Sequence, residues 1–149
     1  MKKRITTFFA GGLLALALIG ATAYRGGDYA LQLPLAELGN AAAQYKLGVM
    51  YDQGQGVPQD YAQALSWYRK AADQEYAIAQ MHIGSMYYDG RGVPKDHAQA
   101  HMWFNLAASR ATDAETRDIA AKDRDDIAAK MTPDQIAEAQ RMVREWAPK

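Results

Sequence analysis

The sequence predicts an all-α protein, a short array of packed helix pairs closed by a helical cap at its C-terminal end. Two observations predict it. One stretch of 36 residues occurs twice in tandem without a gap. Each copy carries apolar and small residues at helical spacing on both sides of a break made of two glycines and a proline. A period between about 20 and 50 residues marks an array whose units bury their apolar faces only against their neighbours.

Residues 41–76 read AAAQYKLGVMYDQGQGVPQDYAQALSWYRKAADQEY, and residues 77–112 read AIAQMHIGSMYYDGRGVPKDHAQAHMWFNLAASRAT. The identities at an offset of 36 include Gln44 with Gln80, Gly48 with Gly84, Tyr51 with Tyr87, Gly54 with Gly90 and Gly56 with Gly92. They continue through Val57 with Val93, Pro58 with Pro94, Asp60 with Asp96 and Trp67 with Trp103, to Ala71-Ala72 with Ala107-Ala108.

Each copy reads as two helices and a turn. Residues 43, 47, 48 and 51 share one helical face. Gly54 follows, suited to the left-handed conformation that closes a helix. Pro58 forbids further helix and holds Val57 extended. Asp60 is placed as an N-cap, with Gln63 three residues on as its capping-box partner. Ala64, Trp67, Tyr68, Ala71 and Ala72 make the buried face of the second helix. The alanines and Gly48 let the two helices approach, and Trp67 fills the remaining gap.

This pattern resembles the Sel-1-like repeat, a relative of the tetratricopeptide repeat. The matching residues are the A-x-A-Q-x-x-L/I-G-x-M-Y start, the G-x-G-V-P-x-D loop and the A-x-A-x-x-W-Y/F-x-x-A-A end, in two full copies. The resemblance implies a right-handed α-solenoid whose first helices line the concave side. It also implies that the protein binds other proteins or peptides and does no chemistry itself.

Formal net charge is zero, with 17 basic and 17 acidic residues. Lys2, Lys3 and Arg4 supply three of those bases, so the chain after residue 23 carries 14 against 17, a net of −3. Nothing in that balance suggests a nucleic-acid partner, which would need a basic face. The absence of cysteine removes disulfides, thiol catalysis, Cys-bound zinc and lipid attachment at Cys.

Residues 1–23 read as an export signal. Three positive charges precede an apolar run from Phe8 to Ile19, and Ala21-Thr22-Ala23 is an A-x-A cleavage site. The expected location is the periplasm or the medium, with no membrane contact once the signal is cut. The alternative is an inner-membrane anchor, since residues 5–24 are about long enough to span a bilayer. Residues 24–40 read as the remnant of a degenerate first repeat. Asp28-Tyr29-Ala30 echoes Asp60-Tyr61-Ala62, and Leu35 to Gly39 echoes the end of a second helix and its glycine cap.

Residues 113–149 depart from the repeat and predict two capping helices. The first spans 113–131, with Ile119, Ala120, Ile127, Ala128 and Met131 as its apolar side. Thr132-Pro133-Asp134-Gln135 starts the second, which runs from Pro133 to Trp146 and carries Ile136, Ala139, Met142, Val143 and Trp146 on one face.

No catalytic, cofactor or metal site is expected. His97 and His101 have the spacing of two ligands, but Ala98 stands where a zinc protease needs Glu. The G-x-G-V-P loops follow a helix and lack the further residues of a phosphate cradle. Asp123, Asp125 and Asp126 have no glycine among them, so they read as a solvated face and not a calcium loop. No serine sits in a nucleophile elbow.

The expected binding surface is the face of each first helix opposite its core side, about 140–160° away at roughly 100° per residue. It carries Tyr45, Val49 and Asp52, then Met81, Ser85 and Tyr88, with Lys46 and His82 at its edge. The other possibility is that the C-terminal helices fold back over it. The resulting reading is an exported adaptor or scaffold of the cell envelope with a protein or peptide partner and no cofactor. The alternative is a small periplasmic hydrolase, β-lactamase-like or cell-wall-acting, on the same solenoid; relatives assigned that activity are rich in cysteine, which this chain lacks. N-terminal sequencing of the protein from the envelope fraction should find Tyr24 or a near neighbour first, and an intact Met1 would rule out cleavage.

Overall fold

A computed structural model describes residues 28–148. Residues 1–23, expected to be an export signal, lie outside the described residues. All regular structure among the described residues is helical. It comprises α1 over residues 28–37, α2 Ala41–Gln53, α3 Tyr61–Ala72, α4 Ala77–Asp89, α5 His97–Arg110, α6 Ala114–Ala128 and α7 Pro133–Glu145.

The elements stack in chain order as an α-solenoid. α2 packs on α3, α3 on α4, and α4 on α5, while α6 and α7 both close on α5. The two copies are built alike. Gly54 and Gly90 end α2 and α4 at φ 66° and 73°, in the left-handed region where a side chain is strained. The Asp60 and Asp96 amides donate to the Tyr51 and Tyr87 carbonyls, each at 2.9 Å, which folds the loop back on its first helix. The Asp60 and Asp96 carboxylates then cap α3 and α5 through the Gln63 and Gln99 amides at 3.0 Å. Gln63, expected as a capping-box partner, does not return the bond; among the described residues the reciprocal half forms only at Thr132 and Gln135 on α7, where Pro133 supplies the first helical residue.

The core runs along the stack. Trp67 lies buried among Ala36 of α1 and Ala43, Leu47 and Met50 of α2. Trp103 lies in the larger central cluster with Ala79, Ile83 and Met86 of α4, and Trp146 closes over it at 6.1 Å between ring centroids. The two tryptophans are equivalent, each packed against the first helix of its own copy. The C-terminal cap departs from expectation at Ile119, which is 43% exposed because Ala120 and Ile127 make the buried side of α6 instead.

α1 belongs to the same register. The Gln44 side-chain amide donates to the Ala36 carbonyl at 3.0 Å, and 36 residues on, Gln80 donates to the Ala72 carbonyl at 3.3 Å. Gly39, at φ 92°, turns the chain between α1 and α2. Its equivalent is Glu75, whose φ of 60° is the one positive value at a non-glycine among the described residues.

Close approach of the paired helices depends on Gly48 and Gly84. A Cβ at Gly48 would overlap the Tyr68 ring, and one at Gly84 would stand 3.1 Å from the Phe104 ring. Tyr68 is fully buried and has no room to retreat. Gly48→Ala should therefore cost about 1–3 kcal/mol by overpacking, and more than Gly84→Ala; urea denaturation of both variants would show it, and equal or negligible losses would contradict it.

Candidate functional site

An open groove of about 600 Å³ lies between α1 and α2. Asp28 and Gln32 of α1 form one wall; Tyr45, Lys46 and Val49 of α2 form the other, and Gln55 in the glycine loop closes one end. Asp28 and Lys46 are exposed, while Tyr45 and Val49 are half-buried. The arrangement offers an apolar strip flanked by one acid, one base and two amides. It holds no nucleophile and base placed together. Among the described residues no cluster of three His, Cys, Asp or Glu side chains could hold a metal ion.

Three of the expected partner-facing residues, Tyr45, Lys46 and Val49, thus share the open groove. Asp52 does not face solvent as expected. It is buried, and the Arg91 guanidinium donates to it at 2.8 Å. The Tyr68 hydroxyl also donates to Asp52, at 3.3 Å. Arg91 reaches it because Gly92 lets the second loop settle on the start of α3, where a Cβ would come within 2.8 Å of the Tyr61 side chain. A buried carboxylate is stable only when so paired.

His82 also differs from the expected exposed slot. Its ring stacks on Tyr68 at 5.1 Å, and its Nε2 meets the Tyr45 hydroxyl at 3.2 Å. Burial pushes the imidazole below its ordinary pKa, with Asp52 opposing and Arg91 reinforcing the shift. Tyr45 is held in turn by Tyr68 and Tyr76, at 5.9 and 5.6 Å. Burial raises the Tyr45 and Tyr68 phenols above their ordinary values.

This junction is made of positions at which the two copies differ. Tyr45, Lys46, Asp52, Gln55 and Tyr68 stand opposite Met81, His82, Tyr88, Arg91 and Phe104 at the 36-residue offset. The identities that define the repeat are silent about it. The available signal was an acid and a base, Asp52 and Arg91, on first-helix and loop positions that do not match between copies.

The second half of the expected face is roofed by the C-terminal cap. Met81 and Tyr88 pack on Phe104 and Ile127. The Lys130 ammonium donates to the Tyr88 hydroxyl at 2.6 Å, and the His97 ring lies against Tyr88 at 5.6 Å. The Ser85 hydroxyl donates within its own helix, to the Met81 carbonyl. About 220 Å³ remains beneath α6. Here the fold-back of the C-terminal helices is what occurs.

His101 is buried on α5, where burial lowers its pKa. His97 sits partly exposed on Tyr88, so the two histidines have separate packing roles. On α6, Asp126 pairs with Lys122 and Asp125 with Arg124, while burial raises the Asp123 carboxyl.

Tandem helix pairs, an open groove at one end and a packed cap at the other define a helical-repeat protein. The chain is built on two Sel1 repeats: the family model of the Sel1 repeat matches residues 41–76 and 77–111. Two solved structures are similar. One is a protective antigen present in uropathogenic Escherichia coli strains that displays an SLR fold; it is 35% identical, with a TM-score of 0.68 over 74% of this chain and 23% of that one. The other is a Sel1 repeat protein from Oxalobacter formigenes, 31% identical, with a TM-score of 0.59 over 76% of this chain and 45% of that one. The chain therefore spans about a quarter and under half the length of these two relatives. No curated protein matches it. Sel1 repeat proteins generally mediate protein–protein interaction, and their fold is generally a non-enzymatic scaffold.

His82 and His101 are both held neutral by burial, so the unfolded chain binds more protons than the folded one below the ordinary histidine pKa of about 6.5. Their contribution is present above that pH and is lost as the pH falls through it. The melting temperature should drop between about pH 7.5 and pH 5, and His82→Gln should flatten part of the drop; a level or rising wild-type curve would contradict this.

Proposed function

We propose that this protein is an exported adaptor of the cell envelope that binds a protein partner through an extended segment laid in the α1–α2 groove. The observation that carries the reading is the groove itself, the open half of a face whose other half is roofed by α6. Its half-buried Tyr45 and Val49 supply apolar contact, and Gln32 and Gln55 offer amides to a peptide backbone. Lys46 and Asp28 set direction through opposite charges. The residues are suited to recognition and not to reaction, which fits a non-catalytic role. Export rests on residues 1–23, and no helix among the described residues is long and apolar enough to cross a membrane.

The test is capture of the partner from envelope extract followed by titration. Lys46→Glu changes an exposed side chain and should leave the fold intact. Together with Tyr45→Ala it should weaken the captured complex at least tenfold, about 1.4 kcal/mol. His97→Ala is the control and should leave capture unchanged. Normal binding by the Lys46 and Tyr45 variants would overturn the groove assignment, and thermal melts alongside would separate lost binding from lost folding.

A further inference from the structure

The outer face of α1 is the most apolar surface left bare among the described residues. Leu31, Leu35 and Leu38 stand at i, i+4 and i+7, so they form one stripe, and they are 66%, 47% and 86% exposed. Apart from them, only Ile119 on α6 is a large exposed hydrophobic among the described residues. None of the three leucines lines the groove.

The 36-residue register identifies this face. The matching bonds from Gln44 to Ala36 and from Gln80 to Ala72 place α1 as the second helix of a repeat, equivalent to α3. Leu31 and Leu35 then occupy the positions of Trp67 and Ala71 in α3, and of Trp103 and Ala107 in α5. Those four are buried, and Trp67, Ala71 and Trp103 lie in clusters shared with the first helices of the two full repeats. α1 has no such helix among the described residues, so its stripe is the exposed half of a repeat interface that is closed twice elsewhere in the molecule.

We infer that this face takes one amphipathic helix from a protein partner, seated as the first helix of the incomplete repeat. The helices that close the equivalent faces specify its chemistry. α2 brings Ala43, Leu47 and Met50 into the cluster that holds Trp67, and α4 brings Ala79, Ile83 and Met86 into the one that holds Trp103. Both read alanine, branched aliphatic, methionine at i, i+4 and i+7, and the partner helix carries that pattern. Among its described residues a second copy of this chain has no such helix to give, because α2 and α4 are engaged in their own repeats. The site extends beyond the groove proposed above but shares its α1 wall, since Asp28 and Gln32 stand at the positions of Ala64 and Tyr68 in the same register.

The probe is a synthetic peptide with the sequence of residues 41–53, held helical by an i, i+4 cross-link and followed by fluorescence anisotropy. The protein is the full chain, expressed with its own N-terminus and purified in the form the cell leaves it. Saturable micromolar binding is expected. Leu31→Gln with Leu35→Gln should weaken it at least tenfold, and Leu38→Gln alone should weaken it measurably should the double variant melt early. Ile119→Gln, at the exposed apolar side chain of α6, should leave it unchanged, which ties the binding to this face. Absent binding, or equal binding by the leucine variants, overturns the inference. A wild-type dimer in sedimentation velocity that the leucine variants abolish also overturns it and hands the face to a second copy.

Discussion

The bare backbone at Gly48 and Gly84 is the constraint on which the array depends. With no side chain there, a whole aromatic ring lies flat on the first helix: Tyr68 in one copy and Phe104 in the other. Once the ring is so placed, the second helix has only one way to sit, and Trp67 or Trp103 fills the space that remains. The next first helix then meets a surface already shaped by the previous pair. Geometry set within one pair is thereby handed on to the stack.

The two copies use this shared frame differently. In the first, Tyr68 carries a hydroxyl and brings it to Asp52, which draws in Arg91 from the following loop and His82 from the following helix. In the second, Phe104 has no hydroxyl, Tyr88 replaces Asp52, and the space is closed by apolar contact with Ile127 of α6. One junction is therefore a polar clasp between repeats, and the other is an oily seam against the cap. Because the cap takes the second half of the concave side, only the α1–α2 end stays open among the described residues.

Most of the fold was legible because its devices are local. A glycine that must be left-handed, an aspartate three residues before an amide to cap, and a proline that stops a helix all act within a few residues of themselves. The C-terminal pair was equally plain from Thr132 to Gln135. What escaped was set by contacts far apart in sequence. Asp52 looked outward by helical angle alone, since nothing near it shows that Arg91, 39 residues on, will fold over it. His82 was set beside Lys46 at the edge of the binding face, although the aromatic neighbours that bury it have no counterpart around Lys46. Tyr88 was placed on a free face because the return of α6 depends on helix packing and not on any residue near position 88. The groove was half visible: Tyr45, Lys46 and Val49 came from spacing, but Asp28, Gln32 and Gln55 needed the position of α1.

The exposed flank of α1 has a mechanical consequence. In a linear stack each unit is held from both sides except at the ends, and among the described residues the hold at this end comes from α2 and from Trp67 of α3, through Ala36, Tyr29 and Leu33. The opposite end is pinned twice over, by α6 and α7 on α5. Over the described residues stability is therefore expected to be graded, lowest at α1, with local opening starting there while the central pairs stay closed. The groove straddles the boundary between this loose unit and the firmer one behind it. A partner lying across that boundary would tie the loose unit down and lift the resistance of the whole N-terminal end to proteolysis by mass action.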